Sequence, residues 1–110
     1  ERFFGDWELT SSANYEKAWS QDVKKDKENN NNVERVDAVL KRSLLCLMES
    51  ETRFNGRNIL LVSHGDTLQI LLAFFKDWPP WRHRAVEHLG VAEIRKIDMV
   101  QADIPGIGLR

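Results

Sequence analysis

The stretch LLVSHGDTLQI, residues 60–70, changes its hydrophobic period halfway, and this change constrains the fold more than any other feature. Before the change, residues 59–63 form a short apolar run, rich in β-branched side chains and without alternation. Such a run suits a strand covered on both faces, as in a parallel sheet. After it, Leu68, Leu71, Leu72 and Phe75 recur at helical spacing over residues 67–76, until Pro79 and Pro80 forbid continuation. Strand, tight turn and helix in that order predict an α/β fold. A doubly covered strand needs neighbours on both edges. Only one other run, VAEIRKI at residues 91–97, alternates like a strand. Two strands alone make a marginal sheet. The expectation is therefore that further strands come from a partner or from sequence outside these 110 residues.

The remaining elements read as helices and connectors. Thr10, Ser11 and Ser12 offer N-caps for a short helix over residues 13–25, marked by Tyr15, Ala18, Trp19 and Val23. Residues 24–32, KKDKENNNN, are expected to be a flexible polar loop. Residues 33–54 give the clearest helix, with Val33, Val36, Leu40, Leu44, Leu47 and Met48 on one stripe and Lys41, Arg42, Glu49 and Glu51 off it. Gly56 is the turn residue that stops it. Cys46, the only cysteine, is read as a buried thiol on that stripe. With no internal disulfide available, a reducing, cytoplasmic setting is expected. Residues 99–110 carry Pro105, Gly106 and Gly108 and are read as an irregular tail. A net charge of −1 provides no global field for nucleic acid or an acidic membrane, so any anion site must be local. The longest apolar run, residues 70–75, is too short to span a bilayer. The chain opens on ERFFGDWEL, dense and aromatic where termini are usually loose and polar, which predicts sequence upstream.

The SHGDT turn carries the chemistry. A turn at the C-terminal end of a strand, leading into a helix, is where open sheets bind ligands. The helix would aim free N–H groups and the positive end of its dipole at the same point. Gly65 permits close approach of backbone and ligand. His64 donates a ring N–H and adds positive charge when protonated. Thr67 can cap the helix or donate its hydroxyl. Asp66 repels a phosphate, so it either caps or orients another cation. On spacing alone, a His64 that merely ends a strand and packs remains the alternative. His64 and Asp66 lack the further ligands of a metal site, and no Gly-x-Ser-x-Gly elbow occurs.

Four segments, in order, carry a resemblance. LLVSHGDTLQILLAFF resembles the second histidine motif of the histidine phosphatase superfamily, the phosphoglycerate-mutase-like group. ERFFGDWEL is similar to that family's Glu-Arg-x-x-Gly-x-Trp-Glu segment, VERVDAVLKR to the helix between them, and VEHLGVAEIRKI to the strand that follows. The resemblance implies a three-layer α/β/α fold, here incomplete and lacking its N-terminal strands, with residues 1–110 the C-terminal part of one domain. It implies phosphomonoester hydrolysis through a phosphohistidine, with a small phosphorylated substrate and neither cofactor nor metal. His64 matches the second, phosphate-holding histidine and Glu1 the acid–base carboxylate. Arg2 and Gly65 fall at phosphate-binding positions, and Trp7 with Glu8 matches a structural aromatic–acid pair. Asp66, Thr67, Arg82 and Arg84 are candidate substrate contacts.

The nucleophile's Arg-His-Gly motif occurs nowhere in the sequence; His83 lies in WRHRA and His88 in VEHLG. The chain alone is therefore expected to be inactive. The rival reading is a non-catalytic phosphate-binding or protein-interaction module. An exposed sheet edge would favour association. Phe4 and Asp66 stand where phosphoglycerate mutases carry tyrosine and asparagine, which points to a phosphatase-like member rather than a mutase.

Overall fold

In the computed structural model, described over residues 1–24 and 31–97, all regular structure is helical. Helix α1 spans Tyr15–Lys24, α2 spans Val36–Arg53 and α3 spans Gly65–Phe75. Single 3-10 turns form at Gly5–Trp7 and Ser12–Asn14, and a longer one at Pro80–Ala85. The tail 99–110, and all of the 24–32 loop except Lys24, Asn31 and Asn32, lie outside the described residues. Among the described residues no helix is long and apolar enough to cross a membrane.

Each helix follows from local signals. Of the three expected caps, Ser11 is the one used: its hydroxyl accepts from the Ala13 amide at 3.3 Å and opens the turn that leads into α1. Helix α2 buries Val36, Val39, Leu44 and Met48. Val33 precedes this helix and packs instead with Phe4 and Ala18. Cys46 is exposed, contrary to expectation. It lies two positions past Leu44, about 200° round the helix at 3.6 residues per turn, and so faces away from the stripe. Gly56, at φ +74°, makes the expected turn after α2.

Helix α3 is the centre of the packing. Ile70 meets Val36 and Val39, Leu71 meets Leu44 and Met48, and Leu72 and Ala73 meet Val86. Its burial is therefore wider than the single stripe read from sequence, because α2 covers one flank and the Pro80–Ala85 turn with Val86 covers the other. A separate cluster of Phe4, Ala18 and Val33 joins α1 to the N-terminal segment, with Phe4 and Tyr15 stacked at 4.1 Å. That segment is tied to residues 31–34 by the Asp6 amide to the Asn31 carbonyl and the Glu34 amide to the Phe3 carbonyl, both 2.8 Å. Gly5 is required there: its φ is +56°, and a Cβ would fall 2.3 Å from the Asn31 carbonyl oxygen.

The expected α/β class, and the three-layer α/β/α arrangement with it, are not found: the described residues form no strand and no sheet. Residues 58–64 run outside any helix into α3, and among the described residues no second segment pairs with them. Leu61 packs on the Leu44–Met48–Leu71 cluster, whereas Leu60 and Val62 are 68% and 83% exposed. An apolar run becomes a strand only when another chain segment supplies its ladder, and composition does not encode that partner. Residues 91–97 fail for a second reason. They begin in a turn with Ala92 at φ +62°, which breaks the extended line, and Val91 and Ile94 stand in the open. The sheet edge expected to mediate association is accordingly an unpaired extended segment.

Candidate functional site

Helix α3 follows the SHGDT turn as expected but starts two residues earlier than the spacing predicted, at Gly65, so neither Asp66 nor Thr67 caps it. His64 is the N-cap residue, extended at φ −107°, ψ 157°, and its carbonyl accepts from the Leu68 amide at 2.9 Å. Its side chain does not cap the helix, so the imidazole is left to project outward, with 61% of its surface exposed. Glu1 is equally open, and its Oε2 lies 4.0 Å from His64 Nδ1. The amides of the first helical turn have no intrahelical acceptors and face the same end. A carboxylate and an imidazole 63 positions apart in sequence thus come within 4.0 Å of each other at the exposed start of α3.

Two residues on from His64 lies a buried charge cluster centred on Asp66. Its Oδ1 accepts from Trp19 Nε1 at 3.1 Å and approaches His83 Nε2 at 2.6 Å. Its Oδ2 accepts from Arg2 Nη1 at 3.1 Å. Arg2 is fully buried; it also donates to both oxygens of Asp22, at 2.8 and 2.6 Å, and through Nε to the Glu34 carbonyl at 2.9 Å. Burial alone would push the Asp66 carboxyl up. The His83 hydrogen bond and charge, and then Arg2, outweigh it and hold the group below its ordinary value. Burial likewise opposes the Arg2 cation, but Asp22 and then Asp66 overcome it and raise its pKa. His83 Nδ1 lies 3.0 Å from the Pro80 carbonyl. Both ring nitrogens of this buried histidine therefore face oxygens that only accept.

The other expected site residues divide. Gly65 opens α3, and the His88 ring sits against it: a Cβ on Gly65 would lie 2.9 Å from His88 Nε2. Thr67 is buried, and its hydroxyl has no hydrogen-bond partner among the described residues. Arg84 stacks over Trp19, with the guanidinium carbon 3.6 Å from the ring centroid, and donates to Gln69 Oε1. Arg82 is exposed on the Pro80–Ala85 turn. Glu8 accepts from the Phe4 amide at 2.7 Å, a structural contact. No group of three metal-ligating side chains occurs among the described residues. Sequence reasoning did not bring Asp22, Trp19 and His83 together: it passed over Asp22, read Trp19 as a mark of the first helix, and read His83 with Arg82 and Arg84 as an exposed basic cluster, whereas the His83 ring is buried against Asp66. The only available signal was Pro80 three residues before His83, which lets the turn return its carbonyl to the ring.

The chain matches the model of the histidine phosphatase superfamily (branch 1) over residues 1–103. It belongs to that superfamily. No curated protein and no solved structure matches it.

Proposed function

We propose that the exposed start of α3 holds the phosphoryl group of a small phosphomonoester, as the phosphate-binding part of a phosphatase that works through a phosphohistidine intermediate. One observation carries the reading: Glu1 and His64, distant in sequence, face each other at 4.0 Å over a helix N-terminus in a member of this superfamily. His64 donates a ring N–H to a phosphoryl oxygen, and the Gly65 amide adds a second donor. Glu1 gives its proton to the ester oxygen as the P–O bond breaks and a P–N bond forms to a nucleophilic histidine; it then takes a proton from the water that breaks the P–N bond. Asp66 does not spoil the site for an anion, since its carboxylate is turned into the protein, onto Arg2, Trp19 and His83, with Arg84 at 3.7 Å. Arg2 serves the phosphate indirectly on this reading, because its donors are engaged by Asp22, Asp66 and Glu34.

The 110 residues contain no Arg-His-Gly turn, so by themselves they bind phosphate without turning an ester over. Calorimetric titration with inorganic phosphate, paired with an assay of a chromogenic phosphomonoester, tests both halves. Binding that disappears in His64→Ala, with no turnover in either protein, is the expected result. Equal binding by His64→Ala, or turnover that depends on His64, would refute it. The missing nucleophile also favours a second reading, a phosphate-binding or protein-interaction module without chemistry. Assay of the full natural protein separates the two, because only the phosphatase reading expects Glu1-dependent hydrolysis there.

A further inference from the structure

We infer that His88 is a second imidazole of this anion site, contacting the same phosphoryl group as His64. The inference rests on the phosphate reading of His64 and adds to it a residue from a different part of the chain. Its basis is the contact at Gly65. The ring atom of His88 nearest the first residue of α3 is Nε2, and it occupies the space that any side chain at position 65 would need. The glycine therefore admits a ligand and, equally, admits this ring. His64 approaches the helix start from the preceding residue, and His88 reaches it from the segment that follows the Pro80–Ala85 turn.

Three features argue that the ring is placed there for contact rather than packing. First, His88 is exposed, so an apolar role would gain little. Second, no hydrogen bond to its ring occurs among the described residues, which leaves its donors free. The carboxylate of Glu93 interacts with the ring electrostatically but makes no hydrogen bond to it; one of its oxygens accepts from the Gly90 amide at 2.9 Å and the other from Arg95 at 3.0 Å. Third, the backbone that carries His88 is braced. Arg95 donates to the Glu87 carbonyl at 2.9 Å, and the Glu93 amide returns to the Gly90 carbonyl at 3.0 Å. The loop has little buried apolar surface, and these cross-links hold the ring in place. Two imidazoles, each able to donate an N–H and to carry positive charge, thereby flank the first turn of α3.

The test is a titration of the 110-residue chain with inorganic phosphate, followed through the ring C–H resonances of its three histidines, with sodium chloride at matched ionic strength as the blank. His64 and His88 should shift along one binding curve. In His88→Gln, which keeps a polar side chain at an exposed position, phosphate should bind roughly tenfold more weakly, about the worth of one charge-assisted hydrogen bond. A His88 resonance that stays still while His64 moves, or unchanged affinity in His88→Gln, overturns the inference and leaves the His64 reading intact. If neither ring responds, the His64 reading itself fails, and this one with it.

Discussion

An aspartate in the first turn of a helix ordinarily faces the positive end of the dipole and contributes a few tenths of a kcal/mol. Asp66 occupies such a position but is committed elsewhere, to Trp19, Arg2 and His83. Removing its charge would leave a buried guanidinium short of one partner and an imidazole short of another. Asp66→Asn is therefore expected to destabilise the chain by about 3–5 kcal/mol, the usual cost of breaking a buried pair from one side. Urea unfolding at neutral pH would measure it; a loss under 1 kcal/mol would show the cluster to be slack. The acid limb of the stability curve carries a second signature. The folded carboxyl lies below its ordinary value, so its contribution is complete above the unfolded pKa of about 3.9 and drains away as pH falls through the lower, folded value. Asp66→Asn should flatten that part of the curve. The cluster was not legible from sequence because its members are scattered: Arg2 and Asp66 are 64 positions apart, and nothing local marks either as the other's partner. His64, by contrast, was legible, because a period change, a glycine and a helix start are all local signals.

At the level of elements, the three helices were readable for the same reason, since spacing of three and four is an intrinsic property of the segment. Their ends differed from expectation where a tertiary contact took over, as when Val33 left α2 to join Phe4 and Ala18. The two expected strands are not formed among the described residues, because pairing is a property of two segments and neither run encodes its partner. The run before α3 shows this directly. Leu61 rests on Leu44, Met48 and Leu71, while Val62, its immediate neighbour, faces outward. Leu61→Ala should cost about 1–3 kcal/mol for a partly buried leucine, whereas Val62→Lys should change stability by less than about 0.5 kcal/mol. Thermal or urea unfolding of the two variants gives the comparison. A large loss in Val62→Lys would mean that this face is covered in solution, contrary to the packing described.

At the scale of the whole molecule, α3 is common ground. Three of the four apolar clusters contain one of its residues, and the fourth, Phe4 with Ala18 and Val33, reaches it through Arg2, Trp19 and Asp66. Circular dichroism and tryptophan fluorescence should therefore report coincident unfolding transitions, the behaviour of one cooperative unit. Two separated transitions would show that the N-terminal cluster melts alone. The composition and charge of the chain said little about this unity, because it depends on one polar junction rather than on the amount of apolar surface. That junction also acts as a gauge. Arg2 is one peptide bond from Glu1, and Asp66 is two from His64, so the single Arg2–Asp66 clasp indexes the carboxylate to the imidazole through a few covalent links. The spacing of the two exposed groups is thereby set from underneath, by an anchor no incoming molecule need ever touch, and tolerance to change at the rim is bought by intolerance at the root.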